Sequence, residues 1–384
     1  MIRVFVPAST AVPVSRGHPW VLREPGVDPP GGELVMVVDG RGRTLGYGLS
    51  DRGAIAVRML SRDRPSSLPQ LIRSRILAAA RHRERMFGAD VTGMRLVHGE
   101  GDGLGGLVVD RYDELAVVRL YAAGWEPWLP DIVDALRTLP WARHGLRRLG
   151  VGVVDDRSGA EDLWGQPPDE VVISEYGMLL LARPRVGQKT GLFLDQREHR
   201  RMVRQWSRGA KVANLFSYNG GFSVAAALGG ATRVVSVDIS AAALEDAKDN
   251  FRLNGLAPEV HGFEAKDAFT WQPQRPVDLL VLDPPSLAHN ATSVGAAFSA
   301  YRKLHRHHEA SVAPGGLMVT ASCTGRLPAD RWLQAVREGL DGPWSWVAKG
   351  AEPADHPVAL NHAEGAYLKF AALRRAEGLD ERGS

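Results

Sequence analysis

The only cysteine of the chain, Cys323, ends an apolar, strand-like run in the segment Thr320 to Gly325. Earlier in the chain, Asp283-Pro284-Pro285 ends a second run of the same kind. In open parallel sheets, substrate groups lie at the carboxyl ends of the strands, so both motifs are expected in one pocket. A thiolate there can add to C6 of a pyrimidine and make C5 nucleophilic, while a carboxylic acid stabilises charge on the ring. The pair therefore predicts covalent chemistry on a nucleobase, with Cys323 and Asp283 as catalytic residues.

A structural role for Cys323 is the alternative, because free cysteines are usually small buried hydrophobic residues. Its position at a strand end, followed by Thr324-Gly325 and expected opposite Asp283, favours the nucleophile. The sequence has no Cys/His cluster with zinc-site spacing. His305, His307 and His308 lie in a polar helical stretch, so we expect a solvated helix face there rather than a metal site.

A second set of residues indicates a cofactor site. The loop from Asn214 to Phe222 lies between a strand and a helix, and its glycines let the backbone approach a ligand, although it is not the G-x-G-x-x-G fingerprint. Asp238 ends the next strand, where a carboxylate can accept hydrogen bonds from both ribose hydroxyls. After the third strand, Asp267 and a neighbouring backbone amide can read the amine and a ring nitrogen of adenine. The predicted cofactor-binding residues at these strand ends are Asn214, Phe216, Tyr218, Gly220, Gly221, Phe222, Asp238, Ile239, Asp267, Ala268, Asp283 and Pro284.

This order of loop, ribose acid and adenine acid indicates S-adenosylmethionine rather than NAD, because the methionine end needs no pyrophosphate-binding helix N-terminus. Just upstream, Gln188 to Arg197 is unusually polar and aromatic for a linker. We interpret this segment as a hairpin and helix start that cover the cofactor, with Lys189 or Arg197 near its carboxylate. A purely structural hairpin capped by Asp195 is the alternative.

Three segments position these motifs. Residues 1–73 read as short strands separated by Pro/Gly turns, which predicts a small barrel or sandwich. A helix from Ser67 to Phe87 leads into an α+β segment with a helix from Trp128 to Leu139 and strands near 151–154 and 171–181. Its glycine-rich Gly99 to Gly106 is expected to be a hairpin turn, since a strand rather than a helix follows. From about residue 186, strands and helices alternate, which predicts a parallel sheet covered on both faces.

Composition and charge limit the function classes. The chain has 384 residues, 44% of them hydrophobic, and a net charge of +3, so several folded domains are expected. Its first 75 residues contain eleven arginines and six acidic residues, which favours contact with RNA or DNA phosphates over a merely arginine-rich composition. The sequence has no long apolar stretch and no secretory leader pattern, so we expect a cytoplasmic protein.

Several motifs stand in the order seen in one enzyme family. They are His18-Pro19-Trp20, Gly99 to Leu104, Gln188 to Gly191, Leu194 to Arg197, Ser217 to Phe222, Ser236 to Asp238, Asp283 to Pro285, Ser322-Cys323, Asp355 to Val358 and Glu364 to Lys369. Together they resemble the bacterial large-subunit (23S) ribosomal RNA cytosine-5 methyltransferases that carry an N-terminal PUA domain. Three positions depart from the usual pattern and affect the expected target nucleotide: Asn219, Ser286 and Thr324.

The resemblance implies an α/β fold in three domains. Residues 1–73 would form an RNA-binding PUA barrel, residues 74–185 a small α+β domain, and residues 186–384 a class I methyltransferase domain. The last domain would be a Rossmann-like doubly wound sheet whose final antiparallel strand is Ala366 to Phe370. The resemblance further implies S-adenosylmethionine as methyl donor, Cys323 as nucleophile and large-subunit ribosomal RNA as partner, and homodimers are common among such relatives.

Other functions stay open at this point. One is a methyltransferase acting on an exocyclic base nitrogen, with a structural Cys323; against it, Ser286-Leu287 follow Asp283-Pro284-Pro285 where an aromatic residue is usual. Another is a non-catalytic RNA-binding factor of ribosome assembly that retains the cofactor fold. Uridine could replace cytosine as target, because the same thiol chemistry serves both bases.

Overall fold

The computed structural model of the protein describes residues 1–150, 157–287 and 294–377. The chain divides into two compact units. The first consists of Met1–Gly177, Ala182–Leu194 and Ala354–Gly365, and the second of Met178–Leu181, Asp195–Pro353 and the residues from Ala366 onward. The strands predicted near 151–154 lie outside the described residues.

The beginning of the first unit is a five-stranded sheet in the order β1-β3-β4-β5-β2. Its elements are β1 (Arg3–Phe5), α1 (Ala8–Ser15), β2 (Trp20–Leu22), β3 (Leu34–Val38), β4 (Thr44–Ser50) and β5 (Ile55–Ser61). Val35, Val37 and Val57 are fully buried, as alternation along half-buried strands requires. Strands β1, β3, β4 and β5 confirm the short strands predicted for residues 1–73. The sequence did not reveal β2, which has only three residues, or α1, which contains Pro13.

The second sheet of the first unit has the order β10-β9-β8-β7-β6. The elements of this region are α2 (Leu68–Met86), β6 (Gly93–His98), β7 (Leu107–Tyr112), β8 (Leu115–Leu120), α3 (Leu129–Leu136), β9 (His144–Arg148), β10 (Ala160–Trp164) and β11 (Val171–Glu175). The helix predicted from Ser67 to Phe87 is confirmed as α2, and Ser67 caps it by accepting a 3.3 Å hydrogen bond from the Gln70 amide. The glycine-rich segment connects the antiparallel strands β6 and β7 and contains Gly103 in the left-handed region, so the predicted hairpin turn is confirmed.

The second unit contains a seven-stranded sheet in the order β15-β14-β13-β16-β17-β19-β18. The elements are β12 (Met178–Ala182), α4 (Arg197–Trp206), β13 (Lys211–Leu215), α5 (Gly221–Leu228), β14 (Arg233–Asp238), α6 (Ala241–Leu253), β15 (Gly262–Ala265), β16 (Val277–Leu282), α7 (Val294–His308), β17 (Val312–Ser322), α8 (Ala329–Gly339), β18 (Trp344–Gly350) and β19 (Lys369–Arg375). The five strands from β15 to β17 are parallel, and β19 is antiparallel to both of its neighbours.

The predicted alternation and the antiparallel last strand are confirmed, with differences at element ends. Strand β17 begins at Val312 and continues through Pro314-Gly315-Gly316. The pairing with β16 instead shifts register between Val277 and Leu279, where the additional residues are accommodated as a bulge. The sequence also did not reveal β18, an edge strand that exposes much of its length and lacks a clean apolar alternation.

The expected solvated face at the histidines of α7 is wrong for two of the three. His305 and His308 are buried, and only His307 is exposed. A spacing of three residues places His305 and His308 on the face of the helix that packs on the sheet. His305 bonds the Tyr301 carbonyl at 2.6 Å and Thr320 Oγ1 at 2.9 Å, and burial lowers its pKa to about 4. Within the described ranges, no cluster of His, Cys, Asp or Glu could hold a metal ion. Among the helices of these ranges, none combines the length and apolar character that a membrane span needs.

Candidate active site

The loop after β13 approaches the carboxyl end of the sheet in an unusual backbone conformation. Phe216 and Tyr218 have φ values of 58° and 48°, in the left-handed region that residues other than glycine rarely adopt. Two backbone amides hold the loop by hydrogen bonds. The Ser217 amide donates to the Val237 carbonyl at 3.0 Å, and the Tyr218 amide donates to the side chain of Asp238, at Oδ2, at 2.8 Å. At Gly220, which has a φ of 78°, an added Cβ would lie 2.7 Å from a side-chain carbon of Ala247. The loop therefore needs glycine there to start α5.

Asp238 lies at the end of β14 with its carboxylate fixed by two backbone donors. The Tyr218 amide donates to Oδ2 at 2.8 Å and the Ser240 amide to Oδ1 at 2.9 Å. Each carboxylate oxygen can accept a further bond, so a ribose with two adjacent hydroxyls fits this group. The next residue, Ile239, is 80% exposed, although large apolar side chains are usually buried. A planar apolar ligand group would cover it.

The turn after β15 supplies the remaining polar group of this region. Asp267 is exposed, and its Oδ1 accepts a 2.9 Å hydrogen bond from the Phe269 amide. Ala268 is buried, whereas the Phe269 ring is 39% exposed and meets the Phe216 ring edge-on at 4.9 Å between centroids. Strands β14 and β15 are parallel neighbours, so the structure brings Asp238 and Asp267 to the same end of the sheet.

Two buried polar groups of this loop have hydrogen-bonding capacity that a ligand with amino and hydroxyl groups could use. Asn214 donates from Nδ2 to Ser223 Oγ at 2.9 Å, but its Oδ1 has no partner among the described residues. The Ser217 hydroxyl is likewise buried without a partner in the described chain. Buried polar atoms normally have partners, so these two groups are candidates for hydrogen bonds to a ligand. We call these elements, Asn214 to Phe222 with Asp238, Ile239 and Asp267 to Phe269, the cofactor half.

The other predicted cofactor residues have different surroundings. Gly221 and Phe222 form the first turn of α5, and Phe222 is buried. Arg197 begins α4 with a fully buried side chain whose Nε donates to Glu198 at 3.2 Å. Lys189 belongs to the first unit, where its carbonyl accepts a 3.3 Å hydrogen bond from Arg119 and its ammonium lies 4.5 Å from the Phe193 ring centroid. The expected proximity of Lys189 or Arg197 to a cofactor carboxylate stays a prediction.

Cys323 directly follows β17 and is half-buried. The residues on either side of it are held by Tyr301 from α7, whose hydroxyl bonds Ser322 Oγ at 2.8 Å and Thr324 Oγ1 at 3.0 Å. On the other side of the turn, Lys369 Nζ donates to the Thr324 carbonyl at 2.7 Å. Buried side-chain hydrogen bonds thus fix the backbone on which the thiol sits.

Asp283 follows β16, the parallel neighbour of β17, so it lies at the same end of the sheet as Cys323. Its Oδ2 accepts a 3.1 Å hydrogen bond from Gln196 Nε2. The buried Pro284 comes next in the chain. Burial raises the pKa of Tyr301 to about 12, with the charges of Cys323 and Asp283 adding to the increase. The Tyr301 hydroxyl is therefore a neutral donor close to both predicted catalytic residues.

Sequence reasoning assigned no role to Tyr301, Gln196 or Lys369. Lys369 was within a family motif, but its burial was not visible from the sequence. Tyr301 lies in a helix whose contact with the β17 turn is set only by tertiary packing. We call the two predicted catalytic residues, Cys323 and Asp283, together with Tyr301, Ser322, Thr324 and Lys369 around them, the nucleophile half.

Comparison with known proteins agrees with this geometry. Residues 95–356 match the family described as S-adenosylmethionine-dependent methyltransferase, and residues 4–62 match a PUA-like domain. A ribosomal RNA large subunit methyltransferase of Deinococcus radiodurans is 37% identical over 404 residues, covering 97% of each chain. Ribosomal RNA large subunit methyltransferase I of Alteromonas mediterranea is 33% identical over 386 residues, covering 96% of this chain and 97% of its own.

Among solved structures, a methyltransferase complexed with SAH covers 97% of this chain and 100% of its own with a TM-score of 0.88. At 23% identity, this likeness shows the fold alone. The predicted fold class is confirmed: a class I methyltransferase fold with a PUA-like N-terminal domain. The dependence on S-adenosylmethionine, predicted from the order of the loop and the two acids, is confirmed by the family match.

Proposed function

Because the chain belongs to the S-adenosylmethionine-dependent methyltransferases of large-subunit ribosomal RNA, we propose that it forms 5-methylcytosine in that RNA through a covalent bond to Cys323. The observation that carries the proposal is the placement of Cys323 and Asp283 at the ends of neighbouring parallel strands. A thiol and a carboxyl group so placed can act on one pyrimidine ring. In this proposal residues 1–73 bind RNA, residues 74–185 link the two other domains, and residues 186–384 catalyse the methyl transfer.

S-adenosylmethionine supplies an electrophilic methyl group, and the cofactor half holds it. Asp238 accepts hydrogen bonds from the ribose hydroxyls, Ile239 packs on the adenine, and Asp267 with the Ala268 amide binds the adenine edge. The unpaired Asn214 Oδ1 accepts a hydrogen bond from the amino acid end of the ligand. Ile239 and Asp267 are exposed, and Asn214 Oδ1 has no hydrogen-bond partner among the described residues. A ligand would therefore replace few protein hydrogen bonds at these groups.

Cys323 and Asp283 act on the cytosine. The Cys323 thiolate forms a bond to C6, and the electrons of the C5–C6 double bond move onto the ring, where Asp283 hydrogen-bonded at N3 stabilises them. C5 then takes the methyl group that S-adenosylmethionine would supply, which would leave S-adenosylhomocysteine. A base removes the C5 proton, the C5–C6 double bond re-forms, and the Sγ–C6 bond breaks with its electrons returning to sulfur. The target base has to leave its stack to reach these groups, which costs a few kcal/mol and less in RNA loops.

Substitution of the nucleophile tests this proposal most directly. We expect Cys323→Ala to lose RNA methylation below detection while its affinity for S-adenosylhomocysteine stays within about twofold, because the thiol lies outside the cofactor half. The matched control is Thr324→Ser, which keeps the hydroxyl that Tyr301 contacts and should keep methylation. Methylation by Cys323→Ala at a rate comparable to wild type would refute the covalent mechanism and leave methylation of an exocyclic nitrogen.

A trapping experiment identifies the atom that is methylated. RNA containing 5-fluorocytidine should form a covalent adduct with the wild-type protein, since fluorine at C5 prevents the final loss of a proton. The adduct should be absent with Cys323→Ala. Trapping by 5-fluorouridine RNA alone would replace cytosine by uridine as the target, and no adduct with either RNA would rule out chemistry at C5.

A further inference from the structure

Lys369, the first residue of β19, is a buried lysine in the nucleophile half. Its residue surface is 4% exposed, and its ammonium donates to the carbonyls of Thr324 at 2.7 Å and Tyr367 at 2.9 Å. The hydrogen-bond acceptors of the ammonium are thus backbone carbonyl oxygens, not carboxylates. The four residues that follow it in β19 are the buried Phe370, Ala371, Ala372 and Leu373.

A charged side chain in this place needs a reason, because burying an ammonium without a counter-ion is costly. The four residues that follow Lys369 in β19 are buried and apolar, so their packing does not by itself require a charge at this position. Burial lowers the pKa of Lys369 to about 8, while Glu352 and Cys323 act in the opposite direction. The amine is thus still mainly protonated at neutral pH, with the cysteine as one of the groups that favour its charge.

The backbone register places this charge on the turn that carries the thiol. Strands β17 and β19 are antiparallel, with Ser322 opposite Lys369. The ammonium bonds the carbonyl of Thr324, the residue directly after Cys323. An adjacent cation favours the thiolate over the thiol.

The other titratable groups around this turn come from several elements. They include Tyr301 of α7, Asp283 after β16, Glu352 after β18, Asp195, which accepts a 2.6 Å hydrogen bond from Tyr367, and His199 of α4, whose ring stacks on Phe370 at 3.9 Å. Burial lowers the pKa of His199 to about 4, so this ring is uncharged at neutral pH. Tyr301 stays neutral up to a pKa of about 12, and carboxylates disfavour a second negative charge. Among these groups, Lys369 is the one whose charge favours a thiolate.

We propose that Lys369 is a positioning residue that stabilises the thiolate of Cys323 and holds the turn that presents it. This inference rests on the proposed role of Cys323 as nucleophile. It adds a residue that activates the sulfur without touching the substrate, and it explains why a lysine stands at an otherwise apolar strand position.

Alkylation by iodoacetamide measures the thiolate directly. Because Cys323 is the only cysteine, the alkylation rate of the whole protein reports this residue alone. In the wild type, we expect the rate to rise with pH around a midpoint below about 8.5, the ordinary value for a thiol. A wild-type midpoint at or above that value would overturn the inference without any variant.

Variants then assign the effect to the ammonium. In Lys369→Met the midpoint should rise by about one pH unit or more, the shift that loss of a nearby opposite charge produces. Lys369→Arg should restore most of it, and Lys349→Met, which removes the exposed lysine beside Trp346 on β18, should have no effect. Equal midpoints in Lys369→Met and wild type would refute the inference, as would a shift in Lys349→Met of the same size.

Methylation assays separate this inference from the proposed function. The pH profile of kcat should move to higher pH in Lys369→Met, while KM for RNA stays unchanged. If Cys323→Ala still methylates RNA, the proposed function fails, but the alkylation midpoints still decide the role of Lys369. If Cys323→Ala is inactive and Lys369→Met leaves both the midpoint and the kcat profile unchanged, only the inference about Lys369 fails.

Discussion

The two halves of the candidate site lie at one end of the same sheet but are built differently. The cofactor half after β13, β14 and β15 is shaped by backbone, with left-handed residues such as Tyr218 and with Ile239 and Asp267 open to solvent. The nucleophile half after β16 and β17 is shaped by buried side chains, among them Tyr301 and Lys369. The first leaves apolar and polar groups exposed, whereas the second is held by hydrogen bonds among its own buried side chains.

This difference fits two separate tasks, reversible binding of a cofactor and fixed positioning of a nucleophile. A cofactor that is consumed and replaced in each cycle needs a surface that it can leave, and backbone donors with exposed apolar groups provide one. A nucleophile needs a fixed position and a controlled charge, which buried side-chain hydrogen bonds provide. Changes in one half should therefore alter ligand affinity, and changes in the other should alter reactivity or pH dependence.

The largest expected effect is the loss of cofactor affinity in Asp238→Ala. Two hydrogen bonds from ribose hydroxyls to a carboxylate are together worth about 3 to 4 kcal/mol, so the Kd for S-adenosylhomocysteine should rise a few hundredfold. The control is Asp278→Ala at the other end of the sheet, where the carboxylate accepts a 2.7 Å hydrogen bond from the Lys211 amide and no ligand is expected. Titration calorimetry measures the affinity.

The same variant tests whether the halves are independent. Alkylation of Cys323 in Asp238→Ala should proceed at the wild-type rate, because none of the hydrogen bonds of the nucleophile half involves Asp238. A fall in affinity of less than about fivefold would remove Asp238 from the ribose site. A large change in alkylation would show that the two halves are one cooperative structure.

An effect of intermediate size is expected from acid on His305, which bonds the Tyr301 carbonyl next to the nucleophile half. Burial lowers the pKa of His305 to about 4, from 6.5 in the unfolded chain. Between these values the unfolded state binds the proton and the folded state does not, so stability is lost as pH falls from 6.5 towards 4. By pH 5 this one histidine should cost the fold about 2 kcal/mol.

The variant His305→Gln should flatten this dependence. The free energy of unfolding is measured in urea at pH 7 and at pH 5. The decrease from pH 7 to pH 5 should be about 2 kcal/mol smaller in the variant than in the wild type. His307→Gln, which changes the exposed neighbour on the same helix, should keep the wild-type slope. Equal slopes in all three proteins would show that His305 titrates normally in the folded state.

The sequence places Asp238 and Asp267 at one end of the sheet more readily than it places the residues around Cys323, for a physical reason. Asp238 and Asp267 follow strands at short, regular distances along the chain, so local pattern and parallel topology are enough to place them together. Tyr301 and Lys369 reach the Cys323 turn from a helix and from the antiparallel last strand, and their roles depend on tertiary packing. The burial of His305 was missed for the same reason, since polar helix composition does not reveal which face meets the sheet.

The smallest expected effect concerns Ile239, and it tests whether the open surface of the cofactor half has a ligand. The side chain is 80% exposed, so Ile239→Ala should change the stability of the free protein by less than about 0.5 kcal/mol. If adenine packs on this side chain, its truncation removes about 1 kcal/mol of apolar contact and weakens S-adenosylhomocysteine binding about fivefold. Val260→Ala is the matched control, because Val260 is 61% exposed and precedes β15 at the opposite end of the sheet. Equal affinities in the two variants would mean that Ile239 is simply an exposed residue, and the adenine would then have to lie against Phe269 instead.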